Sequence, residues 1–382
     1  AAMGVVSIER VGEHLGQEVT IRGWLYNLRD AGKLLFPIFR DGTGLLQGVV
    51  SQKGQPEAFA ALRGLTQESS VVVTGTIRSE SRAPGGFEVG VTRVEVVQAI
   101  PDSEPYPIQL KEHGVDFLLD RRHLWIRTPR QAAILRIRAE AIRAAREFMD
   151  SQDYTLTDMP IFTPAACEGT TTLFEVQYVD EEKAYLTQSG QLYLEATAAA
   201  LGKVYCFGPT FRAEKSKTRR HLTEFWMIEP EMAFYDQDDN MRLQEEFVSY
   251  LVARAVERRG AELAVLERDV SKLANVSPPF PRIEYGVAIA MLQHKGSAII
   301  WGDDLGAEDE SLLVEGYDRP IFIKNYPKGA KAFYMKENPV DPRTVLCSDC
   351  LAPEGYGEMI GGSQREDDLD RLVKRIEEEK LP

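Results

Sequence analysis

The sequence has 382 residues, 43% hydrophobic and 27% charged, a balance typical of a globular protein long enough for two or three domains. Its net charge of −14 argues against a basic surface throughout, but residues 1–100 carry equal numbers of acidic and basic side chains, so a nucleic-acid partner is not excluded. The absence of a long apolar run, of a secretory signal pattern and of a cysteine framework predicts a protein of the cytoplasm.

Residues 5–100 contain short apolar runs of strand length that are separated by turn residues. The runs are VTIRGWLYNL, LLFPIFRD, GLLQGVV, SVVVTGTIRS and FEVGVTRVEVV. A helix is expected only from Pro56 to Leu65. Five short strands with one helix predict a small β-barrel of the oligonucleotide-binding (OB) type. Many such barrels bind no nucleic acid, so the pattern alone leaves the ligand open.

A proline-rich segment and a long helix follow the predicted barrel. Residues 101–128 begin PDSEPYP and show no sustained periodicity, which is typical of a linker or hinge. From Pro129 to about Ser151, apolar side chains recur at helical spacing, and the strand-like stretch YTLTDMPIFTP comes soon after. This layout of helix, turn, strand and proline is common in α/β proteins.

Residues 204–234 read as two strands joined by a polar, basic loop. Arg212 and Glu214 are two residues apart and share one face of the first strand, while Phe225 lies on the second. The intervening loop carries four cations, Lys215, Lys217, Arg219 and Arg220. An arginine, a carboxylate, an aromatic ring and mobile cations can together hold a nucleoside triphosphate. The alternative is a surface hairpin whose charges are merely solvated.

The C-terminal part of the sequence offers one candidate metal site. Residues 239–262 predict an amphipathic helix, and residues 262–318 are acidic and are expected to be rich in loops. Asp349 and Glu358 lie on successive strand-like segments, and paired carboxylates beside a triphosphate are ligands that Mg²⁺ uses. The CxxC at 347–350 has no second pair, so a structural interpretation is favoured over a zinc or redox site.

These motifs resemble the class II aminoacyl-tRNA synthetases of the aspartate, asparagine and lysine subgroup. FRAE and HLTEF, which stand six residues apart, are similar to motif 2, and EFWMIEPEMAF is similar to the asparaginyl branch. GWLYNLRDAGKLLF resembles the anticodon-binding barrel of the same subgroup. The resemblance implies an α+β fold: an OB-type barrel at 1–100, a hinge at 101–128, and a catalytic domain at 129–382 on an antiparallel sheet flanked by helices.

For ATP, the resemblance implies a set of contacts around motif 2. Arg212 would be the catalytic residue, bridging the substrate carboxylate and the α-phosphate. Glu214 would accept a hydrogen bond from the adenine amino group, and Phe225 would stack on the ring. The further ATP contacts implied are Arg220, His221, Leu222 and Glu358, with Mg²⁺ held by Asp349 and Glu358.

For the amino acid, EGTTTLFEV at 168–176 resembles the mobile loop that closes on the substrate. The resemblance implies that Glu168 meets the substrate ammonium, that Gln191 holds the same group from below, and that Arg212 contributes as well. Aspartyl relatives carry a lysine at the position of Leu194, where it pairs with the side-chain carboxylate of the substrate. A buried leucine does not neutralise a carboxylate. The implied substrate is therefore asparagine, and Leu194 also packs its helix.

For the remaining partners, the resemblance implies a transfer RNA and a second copy of the chain. Phe36 would stack on an anticodon base, with Arg29, Gln47 and Glu88 reading base edges around it. Pro160 matches the proline of motif 1, which forms the homodimer interface. The implied partners are thus tRNA(Asn), ATP, asparagine and a second subunit.

The motif 3 of the family, whose arginine grips the far phosphate of ATP, has no counterpart after Gln364. We interpret the catalytic domain as C-terminally incomplete in this sequence, the alternative being a shortened relative with impaired chemistry. The leading functional hypothesis is ATP-dependent charging of tRNA(Asn) with asparagine through an asparaginyl-adenylate. Two alternatives stay open: an asparagine synthetase-like paralogue that activates aspartate, and a catalytically inactive RNA-binding protein.

Overall fold

The computed structural model describes residues 4–169, 172–179, 183–215 and 220–380. The chain divides into two compact units, Ala1–Ala132 and Ala133–Pro382. None of the described helices combines the length and the apolar character that crossing a membrane requires.

The first unit is built on a closed barrel with strand order β1-β2-β3-β5-β4. Its elements are a 3₁₀ helix (Ile8–His14), β1 (Glu18–Asp30), β2 (Leu34–Arg40), β3 (Leu45–Ser51), α1 (Pro56–Arg63), β4 (Ser70–Ser79) and β5 (Phe87–Gln98). Buried residues alternate with exposed ones along the strands, so side chains such as Leu25, Phe39 and Val89 fill the interior. The five-stranded barrel predicted from the sequence is confirmed.

The segment 101–128 is tied to the barrel by specific contacts. It contains two short helices, α2 (Val115–Leu119) and α3 (Arg122–Trp125). Gln67 Nε2 donates to the carbonyl of Ile108 at 3.1 Å, and Arg127 pairs with Glu68 at 3.3 Å. Glu68, whose side chain is 3% exposed, also pairs with Arg40 at 2.7 Å. Sequence periodicity does not reveal these anchors, because each joins residues far apart in the chain.

The second unit combines three small sheets with helices. Its first half contains α4 (Pro129–Ser151), β6 (Thr155–Leu156), β7 (Phe162–Thr163), β8 (Glu175–Gln177), β9 (Lys183–Leu186), α5 (Gln191–Leu201), β10 (Lys203–Phe211), β11 (Glu224–Met232) and α6 (Gln237–Arg258). Its second half contains α7 (Gly260–Val265), α8 (Val270–Leu273), β12 (Arg282–Glu284), α9 (Tyr285–His294), α10 (Ala307–Val314), β13 (Ile321–Lys324), β14 (Cys347–Ala352), β15 (Gly357–Ser363) and α11 (Leu369–Glu378).

The sheets of this unit have the orders β11-β10-β6, β12-β13-β14-β15 and β7-β9-β8. Antiparallel pairing dominates, as expected, but β6 pairs with β10 and β12 pairs with β13 in parallel. Parallel neighbours need a crossover, and helices supply it here: α5 precedes β10, and α9 and α10 precede β13. The second unit is therefore of mixed helices and sheets.

Residues 262–318 contain long loops, as expected, but they also contain α8, β12, α9 and α10. These elements supply much of the core beside β13 and β14. Tyr285, Leu292 and Leu313 are fully buried there, in one cluster with Tyr326. The helix α9 reads YGVAIAMLQH and is apolar on most sides, so no polar stripe marks it as a helix in the sequence.

Glu140 in α4 anchors this helix to the end of α6. Its side chain is 1% exposed, and it accepts hydrogen bonds from Arg143 at 2.5 Å, Arg258 at 2.9 Å and Arg259 at 3.4 Å. Burial by itself raises the pKa of Glu140, but the hydrogen bonds from Arg258 and Arg143 outweigh burial and hold that pKa below its usual value. One buried carboxylate thus accepts hydrogen bonds from three guanidinium groups.

We expect Glu140→Gln to lower the free energy of unfolding at pH 7 by about 2 kcal/mol, because it leaves the guanidinium groups around a neutral side chain. Since the folded-state pKa is depressed, the stabilisation by Glu140 is complete above the ordinary value of 4.5 and is lost as the pH falls through the folded-state pKa. The variant should therefore lose less stability than the wild type on acidification. Urea denaturation at neutral and acidic pH measures both effects.

The matched control is Glu147→Gln. Glu147 pairs with the same Arg258 at 2.9 Å, but its side chain is 38% exposed. A solvated ion pair contributes less than about 1 kcal/mol, so this control should change stability little. Equal losses in the two variants would show that burial of Glu140 is not what gives the network its strength.

Candidate functional site

The hairpin of β10 and β11 brings Arg212 against Phe225. The strands pair antiparallel with Thr210 opposite Phe225, and the backbone N–H of Arg212 donates to the carbonyl of Thr223 at 3.0 Å. The guanidinium carbon of Arg212 lies 5.4 Å from the centre of the Phe225 ring. The Nε of Arg212 is buried and finds no hydrogen-bond partner among the described residues. Such a group is costly unless a ligand supplies the acceptor.

Two backbone hydrogen bonds place neighbouring loops against this end of β10. The N–H of Phe211 donates to the carbonyl of Thr187, and the N–H of Ala213 donates to the carbonyl of Thr172, each at 2.8 Å. Thr187 precedes the QSGQ stretch, and Thr172 belongs to the loop at 168–176. The parts of the sequence assigned to ATP and to the amino acid therefore meet at the end of β10.

The other residues assigned to ATP lie in different surroundings. Glu214, His221 and Leu222 are exposed, with Leu222 at 70%. Arg220 reaches α10 and the turn before β15. Its Nη atoms lie 3.1 Å from Glu310 Oε2, 2.7 Å from Ser311 Oγ and 2.5 Å from the carbonyl oxygen of Gly355. Lys217 and Arg219, which the sequence analysis places in the cationic loop, lie outside the described residues.

Asp349 in β14 and Glu358 in β15 come together over Gly361. A Cβ atom at Gly361 would lie 2.8 Å from Glu358 Oε1 and 3.7 Å from Asp349 Oδ1, so a side chain there would displace the Glu358 carboxylate. Burial and then the charge of Asp349 raise the pKa of Glu358 to about 8. Lys331 Nζ donates to Asp349 Oδ2 at 2.8 Å. Holding two carboxylates close together costs free energy because their charges repel each other. The two residues therefore form a site that favours binding of a cation.

A second polar cluster surrounds the first residue of α5. Gln191 is 6% exposed, and its Nε2 donates to Glu195 Oε1 at 3.0 Å. Tyr334 donates its hydroxyl to Glu168 Oε1 at 3.2 Å. Arg365 joins the two sides, since its guanidinium carbon lies 4.9 Å from the centre of the Tyr334 ring and its Nε lies 3.3 Å from Glu195 Oε1. The structure thus brings the predicted Glu168 and Gln191 into one network.

The cluster is strongly acidic. Arg365 also pairs with Glu231, and Glu229 accepts hydrogen bonds from the hydroxyl of Ser189 and, at 3.0 Å, from the N–H of Gly190. Burial raises the pKa of Glu231, and the charge of Arg365 offsets part of this effect. Carboxylates outnumber cations around this space, which suits an ammonium group and a neutral side chain better than a second carboxylate.

Leu194 lies in an apolar cluster rather than among these polar groups. It is fully buried and packs with Met159, Val204 and Cys206. The neighbouring Glu195 is the side chain of α5 that contacts Gln191 and Arg365. A substrate contact of Leu194 is therefore still a prediction, whereas its packing role is observed.

Gln188 fixes the described part of the loop at 168–176. This side chain is 3% exposed, and its Oε1 accepts from the N–H groups of Cys167 and Glu168, both at 3.1 Å. Its Nε2 donates to the carbonyl of Gly169 at 3.0 Å and to Thr172 Oγ1 at 2.7 Å. One side chain therefore spans the loop on both sides of residues 170–171, which lie outside the described part.

Three further functional candidates, Gln188, Glu195 and Arg365, are not predicted from the sequence. Gln188 is the first glutamine of QSGQ, and its position beside the assigned Gln191 was the available signal. The two-residue period of β11 does place Glu229 and Glu231 on the face of Phe225, but nothing local points to their partner Arg365. That ion pair joins residues more than a hundred positions apart.

The residues assigned to anticodon recognition lie in the first unit as two cross-strand pairs. Arg29 is opposite Phe36 in the β1–β2 pairing, and its guanidinium carbon lies 4.3 Å from the ring centre. Gln47 is opposite Glu88 in the β3–β5 pairing, and Gln47 Nε2 donates to Glu88 Oε2 at 3.4 Å. None of the four is buried, so all are accessible on the barrel surface.

Pro160, assigned to the motif 1 interface, is exposed between β6 and β7. It lines an open cavity of about 250 Å³ together with apolar side chains that include Met159, Ile161 and Trp226. Ile161 is 41% exposed and Trp226 is 49% exposed.

All four cysteines are free and buried, which leaves the CxxC of β14 as part of the core.

Comparison with known proteins identifies both units. The family model described as tRNA synthetases class II (D, K and N) matches residues 114–382. The model described as OB-fold nucleic acid binding domain matches residues 19–97. Both matches agree with the fold and with the motifs in the sequence.

Individual relatives are similar over almost the whole chain. An asparagine–tRNA ligase of Koribacter versatilis is 60% identical over 385 residues, covering 99% of this chain and 87% of the relative. An asparagine–tRNA ligase of Pelotomaculum thermopropionicum is 59% identical, covering 100% of this chain and 88% of the relative.

Among solved structures, the asparaginyl-tRNA synthetase of Pyrococcus horikoshii complexed with asparaginyl-adenylate is 48% identical, with a TM-score of 0.94. That likeness covers 99% of this chain and 87% of the solved chain. The chain therefore belongs to the asparagine–tRNA ligases, within the class II tRNA synthetases for aspartate, lysine and asparagine.

Proposed function

We propose that this chain performs the reaction of its family, the ATP-dependent charging of tRNA(Asn) with asparagine, with Arg212 as the catalytic residue. The observation that carries this proposal is the buried Arg212 Nε, which finds no partner among the described residues although it stands beside Phe225 and the loops of the acidic cluster. A guanidinium group placed in this way is prepared for an anionic ligand.

In the first step, the carboxylate of asparagine attacks the α-phosphate of ATP, which gives asparaginyl-adenylate and pyrophosphate. Arg212 would bridge the two anions, lowering their repulsion and stabilising the charge of the transition state. Phe225 would stack on adenine, and Glu214 would accept from its amino group. Arg220, His221 and Leu222 would complete the ATP site. In the second step, the terminal hydroxyl of the tRNA attacks the acyl carbon of the adenylate, which forms the ester and releases AMP.

Asp349 and Glu358 would hold Mg²⁺. The residues fit this ion, because the carboxylate oxygens of Asp349 and Glu358 both lie beside Gly361 and are hard ligands of the kind that Mg²⁺ prefers. Among the described residues no group of three or more metal-ligating side chains occurs, so phosphate oxygens and water would complete the coordination. When bound, the ion supplies neutralisation of the phosphate charge.

The acidic cluster would recognise asparagine. Glu168 and Gln191 would hold its ammonium group, as the family resemblance implies. The side-chain amide presents one acceptor and two donors, so Arg365 can donate to its oxygen while Glu231 accepts from its nitrogen. The carboxylate of aspartate would instead meet an arginine whose charge is already compensated, next to further carboxylates.

The barrel would bind the anticodon, with Phe36 stacking on a base and Arg29, Gln47 and Glu88 reading base edges. The clustering of these four side chains on one exposed surface supports this assignment.

A homodimer through the surface around Pro160 is supported by the exposed Ile161 and Trp226 beside it. The cytoplasm is the proposed location, in keeping with the four free cysteines.

The central test is ATP–pyrophosphate exchange with asparagine and with aspartate in parallel. We expect exchange with asparagine, and a fall of at least about hundredfold in Arg212→Ala because a preorganised donor to the transition state is lost. Arg242→Ala, at an exposed arginine of α6, is the control that should keep wild-type activity. Wild-type exchange in Arg212→Ala would refute the proposed role, and exchange with aspartate would favour the synthetase-like alternative.

The loop anchor predicts a second effect. Gln188→Leu removes four hydrogen bonds that fix the loop, so we expect roughly tenfold weaker asparagine binding and faster proteolytic cleavage within 168–176. Calorimetry and limited proteolysis measure the two quantities. Gln152→Leu, at an exposed glutamine after α4, is the matched control. A loop that resists protease equally in both variants would mean that Gln188 is not its anchor.

Because the barrel is proposed to bind the anticodon, a substitution there should weaken tRNA binding and leave the activation of asparagine unchanged. Phe36→Ala should weaken tRNA(Asn) binding by about tenfold or more, because stacking on an aromatic ring contributes roughly 1–3 kcal/mol per base. Asparagine-dependent exchange should be unchanged. Filter binding and exchange assays distinguish the two. Unaltered tRNA affinity would separate this barrel surface from anticodon recognition.

A further inference from the structure

Glu195 connects the two sides of the acidic cluster. It lies one turn after Gln191 in α5, and one of its carboxylate oxygens, Oε1, lies 3.0 Å from Gln191 Nε2 and 3.3 Å from Arg365 Nε. Its side chain is 37% exposed, so it borders open space rather than the core. Leu194, immediately before it, is fully buried. Glu195 is thus the charged side chain of this helix that faces the cluster.

Glu195 also completes the charge balance of Arg365. Arg365 has two acidic partners, Glu195 at its Nε and Glu231 at an Nη atom. With both present, the guanidinium can still donate hydrogen bonds, but it carries no uncompensated positive charge for an arriving carboxylate. Without Glu195, one acidic partner would face one cation, and the local potential would shift toward accepting an anion.

We infer that Glu195 is a positioning and specificity-determining residue, which orients Gln191 and Arg365 and makes the pocket reject aspartate. This inference rests on the proposed function of the same pocket. Glu195 does not need to touch the substrate, because it acts through the two side chains that do. The discrimination between amide and carboxylate then resides partly in a residue behind the contact surface.

Two substitutions separate the roles of charge and hydrogen bonding. Glu195→Gln removes the charge but keeps an oxygen that can accept from Gln191 Nε2. Glu195→Ala removes both. Glu246→Gln, at an exposed position of α6, is the matched control. The dissociation constants of asparagine and of aspartate are measured by calorimetry on the purified full chain, together with thermal unfolding of each variant.

We expect Glu195→Gln to bind aspartate about tenfold more tightly while asparagine affinity changes little, so the selectivity ratio falls about tenfold. Glu195→Ala should in addition bind asparagine about tenfold more weakly. A merely structural role would weaken both ligands together and leave their ratio unchanged. An unchanged ratio in Glu195→Gln, with the unfolding midpoint of the wild type, overturns the inference.

The wild-type measurement separates this inference from the proposed function. Asparagine binding by the wild type, with unaltered selectivity in Glu195→Gln, would leave the proposed function standing and refute the role of Glu195. A wild type that binds neither amino acid would overturn the proposed function, and the inference with it. A selectivity shift also in Glu246→Gln would attribute the effect to net charge and equally refute the role of Glu195.

Discussion

The register of β10 against β11 is the constraint on which the candidate site depends. Because side chains alternate along a strand, a slip of one residue would turn Phe225, Glu229 and Glu231 to the opposite face and separate them from Arg212 and Arg365. The pairing includes all nine residues of β10. One further backbone hydrogen bond, from the N–H of Arg212 to the carbonyl of Thr223, extends it past the end of the strand. The residues proposed to contact the nucleotide and the amino acid are thus positioned by one continuous ladder.

Charge distribution in the site follows from this geometry. Carboxylates gather in two places, around Arg365 and over Gly361, and each place has fewer cations than acids. Such clusters lower stability unless ligands compensate them, which is the usual compromise between stability and function. Elsewhere, as at Glu140, a buried carboxylate is fully matched by guanidinium groups. Both of these acid-rich clusters lie in the region proposed to bind asparagine, ATP and magnesium.

The features that can be predicted correctly from the sequence are encoded in short stretches of it. The barrel strands, α4, and the meeting of Arg212 with Phe225 all follow from local periodicity and turn residues. Features that depend on contacts between distant parts of the chain are not predicted. The helix α9 shows no polar stripe because its exposed face also carries apolar residues, among them Val287 at 54% exposure. The role of Arg365 depends on Glu195 and Glu231, which lie far away in the chain. Long-range ion pairs leave no local pattern to read.

The anchoring of the loop by Gln188 has a consequence for its dynamics. One side chain satisfies partners on both sides of the loop, so these hydrogen bonds break together when the side chain withdraws. The described residues on the two sides of the loop are therefore released together rather than one by one. For the role proposed for this loop at the amino acid, such anchoring lowers the conformational entropy that binding has to remove.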